Sequence, residues 1–183
     1  MKKITTKVLT IVAACAAMVF ASCAQPSTSG SGAGAGYTLP EGAVELQLYR
    51  KNADEVTDND KASSVKIGAD CAKPFAFVKD TDLTEVKVGA KIYFTLECAA
   101  GESMRLQNLD WAYLADSIVN AVTGTTVTPT TSEWNDQTDY NYGNTGHYYF
   151  VVTEDTKNKL AKGIEIHGNK ATVSKFAYVN PAN

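Results

Sequence analysis

A two-residue alternation of apolar and polar side chains runs through much of the chain and limits its fold more than any other feature. In "VELQLYR" the side chains of Val44, Leu46 and Leu48 share one face of an extended strand, because successive side chains of a strand point to opposite sides. The same pattern or a short apolar run predicts further strands at 64–68, 75–78, 85–88, 90–97, 103–109 and 147–153. Short strands separated by Gly, Asp and Asn clusters predict an all-β fold, either an antiparallel sandwich or a barrel.

Three other segments carry local signals of their own. "TEDTKNKLAKG" predicts a helix of one or two turns, with Thr153 as its cap and Gly163 as its end. Residues 110–122 fit a helix and an irregular strand equally well. The closing "GIEIHGNKATVSKFAYVNPAN" predicts a final β-hairpin that turns at Gly168 and Asn169.

The first residues have the pattern of an export signal rather than of a folded domain. Lysines at positions 2, 3 and 7 precede an apolar run at 8–20 that is short for a membrane span. "FASC" resembles a bacterial lipobox, which predicts a signal peptide at 1–22 and a lipid on Cys23. The alternative is ordinary secretion, with cleavage after the small-x-small pattern that ends at Ala24.

The residues after Cys23 predict a tether and then one domain. Residues 23–36 are mostly Ser, Gly, Ala and Thr, which cannot bury apolar surface, so a flexible linker is expected. Residues 37–180 are long enough for a single core, and we assign them to the β-sandwich domain. Lipidated Cys23 followed by Ala24 rather than Asp resembles exported outer-membrane lipoproteins, so the membrane is an expected partner.

Charge argues against a nucleic-acid partner. The chain has a net charge of −3, and removal of the three signal-peptide lysines lowers it to −6, with no basic cluster in the remainder. Phosphate recognition requires a localised basic face.

The cysteines and histidines of the domain give weaker signals. Cys71 and Cys98 can form a disulfide in an exported protein, or each can be a small buried hydrophobic residue. His147 and His167 lie apart in the sequence, and we interpret both as surface residues.

The final third of the chain resembles a known family. Its segments run "MRLQNLDW", "SEWND", "YYFVVTEDTKNKLAKG" and "IEIHGNKATVSKFAYV". In this order they resemble the C-terminal half of jelly-roll carbohydrate-binding modules, which belong to the galactose-binding-like β-sandwiches. The resemblance implies a jelly-roll whose concave outer sheet and rim loops bind a glycan without catalysis, often beside a structural calcium ion.

A glycan site combines flat aromatic rings with hydrogen-bonding groups, because sugars have apolar faces and polar rims. The stretch "EWNDQTDYNYGNTGHYY" is loop-like and is the densest segment of this kind. The candidate residues are Trp134, Tyr140 and Tyr142 for stacking, and Arg105, Gln107, Asn135 and Asp136 for hydrogen bonds. Trp111 and Trp134 can each be exposed or belong to the core.

Metal and catalytic signals are weak. Asp58 and Asp60, and separately Asp136 and Asp139, have the hard oxygen ligands that suit calcium, without EF-hand spacing. No cofactor is required by any motif. No nucleophile with a paired base is identifiable, which favours a binding protein over an enzyme. The alternative to glycan binding is a structural or protein-interaction surface lipoprotein.

Overall fold

The computed structural model describes residues 37–134 and 137–182, and within this part it contains fourteen strands and one α-helix. The strands are β1 Val44–Glu45, β2 Leu48–Lys51, β3 Lys61–Ala62, β4 Ser64–Lys66, β5 Phe75–Val78, β6 Lys91–Glu97, β7 Ser103–Gln107, β8 Ile118–Asn120, β9 Thr126–Val127, β10 Thr130–Trp134, β11 Gln137–Asn141, β12 Gly146–Val151, β13 Ile164–Asn169 and β14 Thr172–Val179. The predicted signal peptide, Cys23 and tether lie outside the described residues, as do Asn135 and Asp136.

The strands form an antiparallel all-β sandwich, which is one of the two architectures that the alternation predicts. A seven-stranded sheet has the order β1-β14-β6-β12-β8-β9, with β4 also paired to β14. A five-stranded sheet has the order β3-β2-β5-β13-β7. β10 and β11 pair with each other, and a bridge between Met104 and Tyr142 joins the end of this hairpin to β7.

The core lies between the inner faces of the two sheets. Phe94, Phe150 and Phe176 contribute from the seven-stranded sheet, and Leu106 and Ile166 contribute from the five-stranded sheet. Each is nearly or completely buried. Burial of one such side chain stabilises the fold by about 1.5–3 kcal/mol, so the alternating apolar residues hold the sheets together.

The predicted helix is confirmed as α1, Glu154–Leu160. The Thr153 hydroxyl accepts a hydrogen bond from the Thr156 amide at the N-terminus. Gly163 has a φ of +73°, and a Cβ there would lie 2.7 Å from the Val78 carbonyl oxygen. Glycine therefore suits the point where the chain leaves the helix and enters β13. Two short 3-10 helices lie at Asp58–Asp60 and Asp80–Leu83. No described helix is long and apolar enough to span a bilayer.

The predicted closing hairpin is wrong. β13 pairs with β5 and β7 in the five-stranded sheet, whereas β14 pairs with β1, β4 and β6 in the seven-stranded sheet. Gly168 and Asn169 belong to β13, and the chain crosses between the sheets at Lys170, whose φ is +60°. The two strands therefore belong to different sheets, and the apolar residues of both are buried in the core.

Other segments also differ from expectation. Residues 85–88 form turns, with the Val86 amide bonded to the Leu83 carbonyl, rather than a strand. Residues 110–122, whose pattern fits helix and strand equally well, contain β8 and no helix. The predicted loop at 133–149 contains the end of β10, all of β11 and the first part of β12.

The proposed disulfide does not form in the structure, where Cys71 and Cys98 are both free. The Cys71 amide bonds to Gly168 of the five-stranded sheet, whereas the Cys98 amide bonds to the Thr145 hydroxyl beside the seven-stranded sheet. Burial and, to a smaller extent, the Glu102 carboxylate raise the pKa of the Cys98 thiol to about 11. The thiol is therefore protonated at neutral pH.

Candidate functional site

The outer face of the five-stranded sheet carries a group of polar and aromatic side chains. Strand register aligns these side chains in two rows across the sheet, and we call the residues of the two rows the outer face. One row contains Tyr49, Phe77, Glu165 and Gln107, and the next contains Lys51, Phe75, His167 and Arg105. Ile166 and Leu106 lie between these positions and point into the core, as strand alternation requires.

A buried ionic chain lies in the middle of the outer face. The Lys51 ammonium donates to Glu165 Oε2, and His167 Nε2 lies 2.8 Å from Glu165 Oε1. Lys51 is 8% exposed and Glu165 is 3% exposed. Burial by itself would raise the pKa of Glu165, but hydrogen bonds and charges from His167 and Lys51 outweigh it and lower the pKa. Glu165 is therefore ionised, and His167 Nε2 is the donor in their hydrogen bond.

His167 lies between two aromatic rings. The Phe75 ring stacks on the imidazole with centroids 4.0 Å apart, and the Trp111 indole lies 4.2 Å away, tilted by 48°. His167 is 0% exposed, whereas Trp111 is 55% exposed. The indole therefore covers the buried imidazole and also presents a large aromatic surface to solvent.

The loop that carries Trp111 is held by hydrogen bonds at its base. Asn108 Oδ1 accepts from the Asp110 and Ala112 amides at 3.0 and 2.9 Å. Gln107 Nε2 donates to the Trp111 carbonyl at 3.0 Å. Trp111 has a φ of +63°, an uncommon conformation for a residue with a side chain. These bonds fix the main chain that directs the indole outward.

A second polar and aromatic cluster lies at the β7 edge of the outer face. Arg105 Nη2 lies 2.9 Å from Asp139 Oδ2, and Arg105 Nε donates to Asn141 Oδ1 at 3.0 Å. The Tyr113 hydroxyl donates to Asp139 Oδ1 at 3.2 Å, and the Tyr113 and Tyr140 rings meet edge to face at 4.8 Å. Burial is the main cause that raises the pKa of Tyr113, so its hydroxyl keeps its proton.

The candidate residues from the sequence have different positions. Arg105 is half-buried on the outer face, and Tyr140 is half-buried beside it. Gln107 shares the face with Arg105 as expected, but it is buried and binds the Trp111 carbonyl. The proposal that Tyr142 is an exposed stacking residue is wrong, because its bridge to β7 places the ring in the core.

The remaining candidates stay predictions. Asn135 and Asp136 lie outside the described residues, and the side chain of Trp134 is not described. Asp58 contacts Lys61 at 3.2 Å and Asp60 accepts from the Thr57 amide. Within the described part of the chain no three His, Cys, Asp or Glu side chains are grouped to hold a metal, so the calcium hypothesis gains no support.

The sequence patterns do not reveal the buried residues of the outer face. The prediction that His167 is a surface residue is wrong, because its side chain is buried. The same holds for His147, which is buried on β12 of the other sheet. Glu165 and His167 alternate with Ile164 and Ile166, so the alternation itself marked them as partners on the opposite face of β13. Nothing local identified Lys51, which lies 114 residues away from Glu165.

The fold and the outer face define a class: an all-β sandwich with a half-exposed tryptophan above a buried polar network. No family model matches the chain, and a search of curated proteins finds no match. Among solved structures it is similar to a Bacteroides ovatus protein, the mixed-linkage glucan utilization locus SGBP-B in complex with a mixed-linkage heptasaccharide. The identity is 14% and the TM-score is 0.43. The match covers 75% of this chain and 28% of that one, and at these values it contributes no argument about function.

Proposed function

We propose that the domain is a non-catalytic glycan-binding module and that Trp111 is its main stacking residue. The observation that carries this proposal is the 55% exposed indole on a loop fixed by Asn108 and Gln107. A flat aromatic ring can pack on the apolar face of a sugar, and a rigid loop reduces the entropy lost on binding.

Polar groups around Arg105, which is paired across the strands with the histidine that Trp111 covers, support the same proposal. Arg105 has five N–H donors, and its contacts to Asp139 and Asn141 use only Nε and Nη2. Its remaining donors can bind sugar hydroxyls. This cluster adds hydrogen bonding to the stacking surface, which is the combination that a glycan site needs.

The carboxylates of the outer face and of the cluster at its β7 edge favour binding over catalysis. Glu165 is buried and bound by Lys51 and His167, and both Asp139 oxygens contact Arg105 or Tyr113. A glycosidase needs two carboxyl groups that reach the scissile bond at a set separation. These two carboxylates are instead occupied in holding the face together.

The proposal includes the predicted jelly-roll topology and the location at the outer membrane. Lipidation of Cys23 and the tether at 23–36 would display the outer face away from the bilayer. Detergent phase partition of the full chain tests the anchor. We expect the wild type in the detergent phase and Cys23→Ala in the aqueous phase; a wild type found in the aqueous phase would contradict lipidation.

The binding experiment is retardation of the full chain, in mild detergent, in native gels containing polysaccharides. We expect Trp111→Ala to weaken retention about tenfold or more, equivalent to about 1.4 kcal/mol. Tyr149→Ala is the matched control, because Tyr149 is a half-exposed ring on the other sheet, beside Tyr93 and Lys91. Trp134→Ala tests the other predicted platform. No retention on any polysaccharide would favour the interaction lipoprotein instead.

A further inference from the structure

Two buried polar atoms beneath Trp111 have no hydrogen-bond partner in the described part of the chain. They are His167 Nδ1 and Gln107 Oε1, and their residues are 0% and 4% exposed. Buried polar atoms in folded proteins are nearly always paired with protein groups or ordered water. Two unpaired atoms at one place on the outer face therefore require an explanation.

The two residues are neighbours by strand register. Gln107 is opposite Glu165, and Arg105 is opposite His167, so Gln107 and His167 lie on a diagonal between β7 and β13. Diagonal neighbours on one face are about 7–8 Å apart, within reach of long side chains. Both also contact Trp111, His167 through the ring and Gln107 through the Trp111 carbonyl.

Hydrogen-bond chemistry assigns a role to each unpaired atom. The carboxylate of Glu165 can only accept, so His167 Nε2 carries a proton, and Nδ1 is an acceptor when the imidazole holds only that proton. The Trp111 carbonyl can only accept, so the amide nitrogen of Gln107 faces it and the oxygen is left over. An O–H group satisfies such atoms, whereas a carboxylate or sulfate offers them no donor.

The charges on the face agree with a neutral ligand. Lys51 is paired with Glu165, and Arg105 is paired with Asp139. The cations of the two rows are thus balanced by carboxylates and give little attraction for an acidic sugar.

Resting on the proposed function, we infer that the ligand is a neutral glycan, and that one of its hydroxyl groups donates to His167 Nδ1, beside the second acceptor Gln107 Oε1. The main chain of Trp111 is held by the Asn108 carbonyl and by Gln107, while its indole contacts His167. Rotation of the indole opens the acceptor site without unfolding the loop. For the free protein we expect an ordered water to supply the same O–H chemistry.

The first test compares neutral and acidic polysaccharides with the full chain in native gels. The neutral panel is barley β-glucan, xylan and galactomannan, and the acidic panel is polygalacturonate and alginate. We expect retention on at least one neutral polymer and on neither acidic polymer. His167→Phe, which keeps a ring against Phe75, should weaken that retention at least fivefold. The matched control is His147→Phe. His147 is the other buried histidine; it lies on β12 of the other sheet and stacks on Tyr37.

The second test uses the wild type, so it does not depend on a variant that folds. The chain has two histidines, and ¹⁵N-histidine labelling resolves their ring nitrogens by NMR. We expect an unprotonated His167 Nδ1 whose resonance moves when an oligosaccharide of the retained polymer saturates the protein. Retention by acidic polymers alone, or saturation without a change at Nδ1, overturns this inference and leaves the proposed function standing.

Absence of retention on every polymer overturns the proposed function, and with it the inference that a glycan hydroxyl donates to this site. NMR of the unliganded protein then tests whether His167 Nδ1 accepts hydrogen bonds at all. Magnetisation transfer from a water proton to the His167 ring, with Nδ1 unprotonated, supports a hydroxyl-accepting site. A protonated Nδ1 in the free protein overturns it.

Discussion

Replacement of Lys51 by Met tests how the outer face is held together. Lys51 and Glu165 form an ion pair in which both residues are more than nine-tenths buried. Removal of one partner from a buried pair typically costs 3–5 kcal/mol, because the other charge stays buried without compensation. His167 still donates to Glu165 Oε1 in the variant. We therefore expect the free energy of unfolding to fall by about 3 kcal/mol, the lower end of that range, which is more than a hundredfold in the unfolding equilibrium.

Methionine is the substitution of choice because it keeps an unbranched apolar chain beside Phe77, over which the Lys51 ammonium lies 5.4 Å from the ring centroid. The loss then reports on the charge rather than on a cavity. The measurement is urea unfolding at pH 7, followed by tryptophan fluorescence, with the free energy of unfolding taken from the midpoint and slope.

Lys73→Met is the control, since Lys73 forms a 2.9 Å ion pair with the fully exposed carboxylate of Asp54. We expect it to change stability little, because solvent screens an exposed pair. The double variant Lys51→Met with Glu165→Met should recover much of the stability lost in the single variant, since no unpaired charge remains. A single-variant loss below about 1 kcal/mol would refute the reasoning and show that the Lys51 and Glu165 charges are well solvated.

Three further changes have definite expected outcomes. Gly168→Ala should lower the free energy of unfolding by about 2 kcal/mol or more in urea, because the new Cβ would lie 2.2 Å from the Ser103 carbonyl oxygen. Gly101→Ala is the control and should lower it less, since no atom lies within 4 Å of a Cβ at that position. The pKa of Glu165 is lowered in the fold, so its ionised form stabilises the protein above about pH 4.3, and this is lost as the pH falls through the folded-state pKa. Glu165→Gln should therefore show a weaker dependence of the urea midpoint on pH between 7 and 3, and an unchanged dependence would contradict the assignment. Thr153→Ala should cost about 1 kcal/mol by loss of the helix cap, and a loss near zero would mean that water replaces the hydroxyl.

Local sequence patterns predicted those elements of secondary structure that depend only on neighbouring residues. The Thr153 cap of α1 depends on neighbouring main-chain groups, so the sequence predicted it, whereas the helix ends at Leu160, three residues before the predicted end at Gly163. Alternation at 90–97 predicted β6 for a similar reason, since side chains of one strand must divide between the core and the other face.

Strand partners could not be predicted in the same way. The segment around Gly168 has the turn residues of a hairpin, yet β13 and β14 enter different sheets. Whether the two strands pair or separate depends on where their apolar residues are buried: Ile164 and Ile166 in one sheet, and Val173 and Phe176 in the other. The free energy of that burial comes from contacts with residues far away in the chain. The local pattern fits both a hairpin and two separate strands.

Alternation along single strands is a local property, so it predicted an all-β fold of short strands before any strand pairing was known. The burial of His167, the position of Trp111 over it and the place of Tyr142 in the core follow only from the folded arrangement. Exposure and hydrogen-bond partners depend on neighbours from distant strands. Lys51 meets Glu165 across 114 positions, and no periodicity within a strand contains that contact.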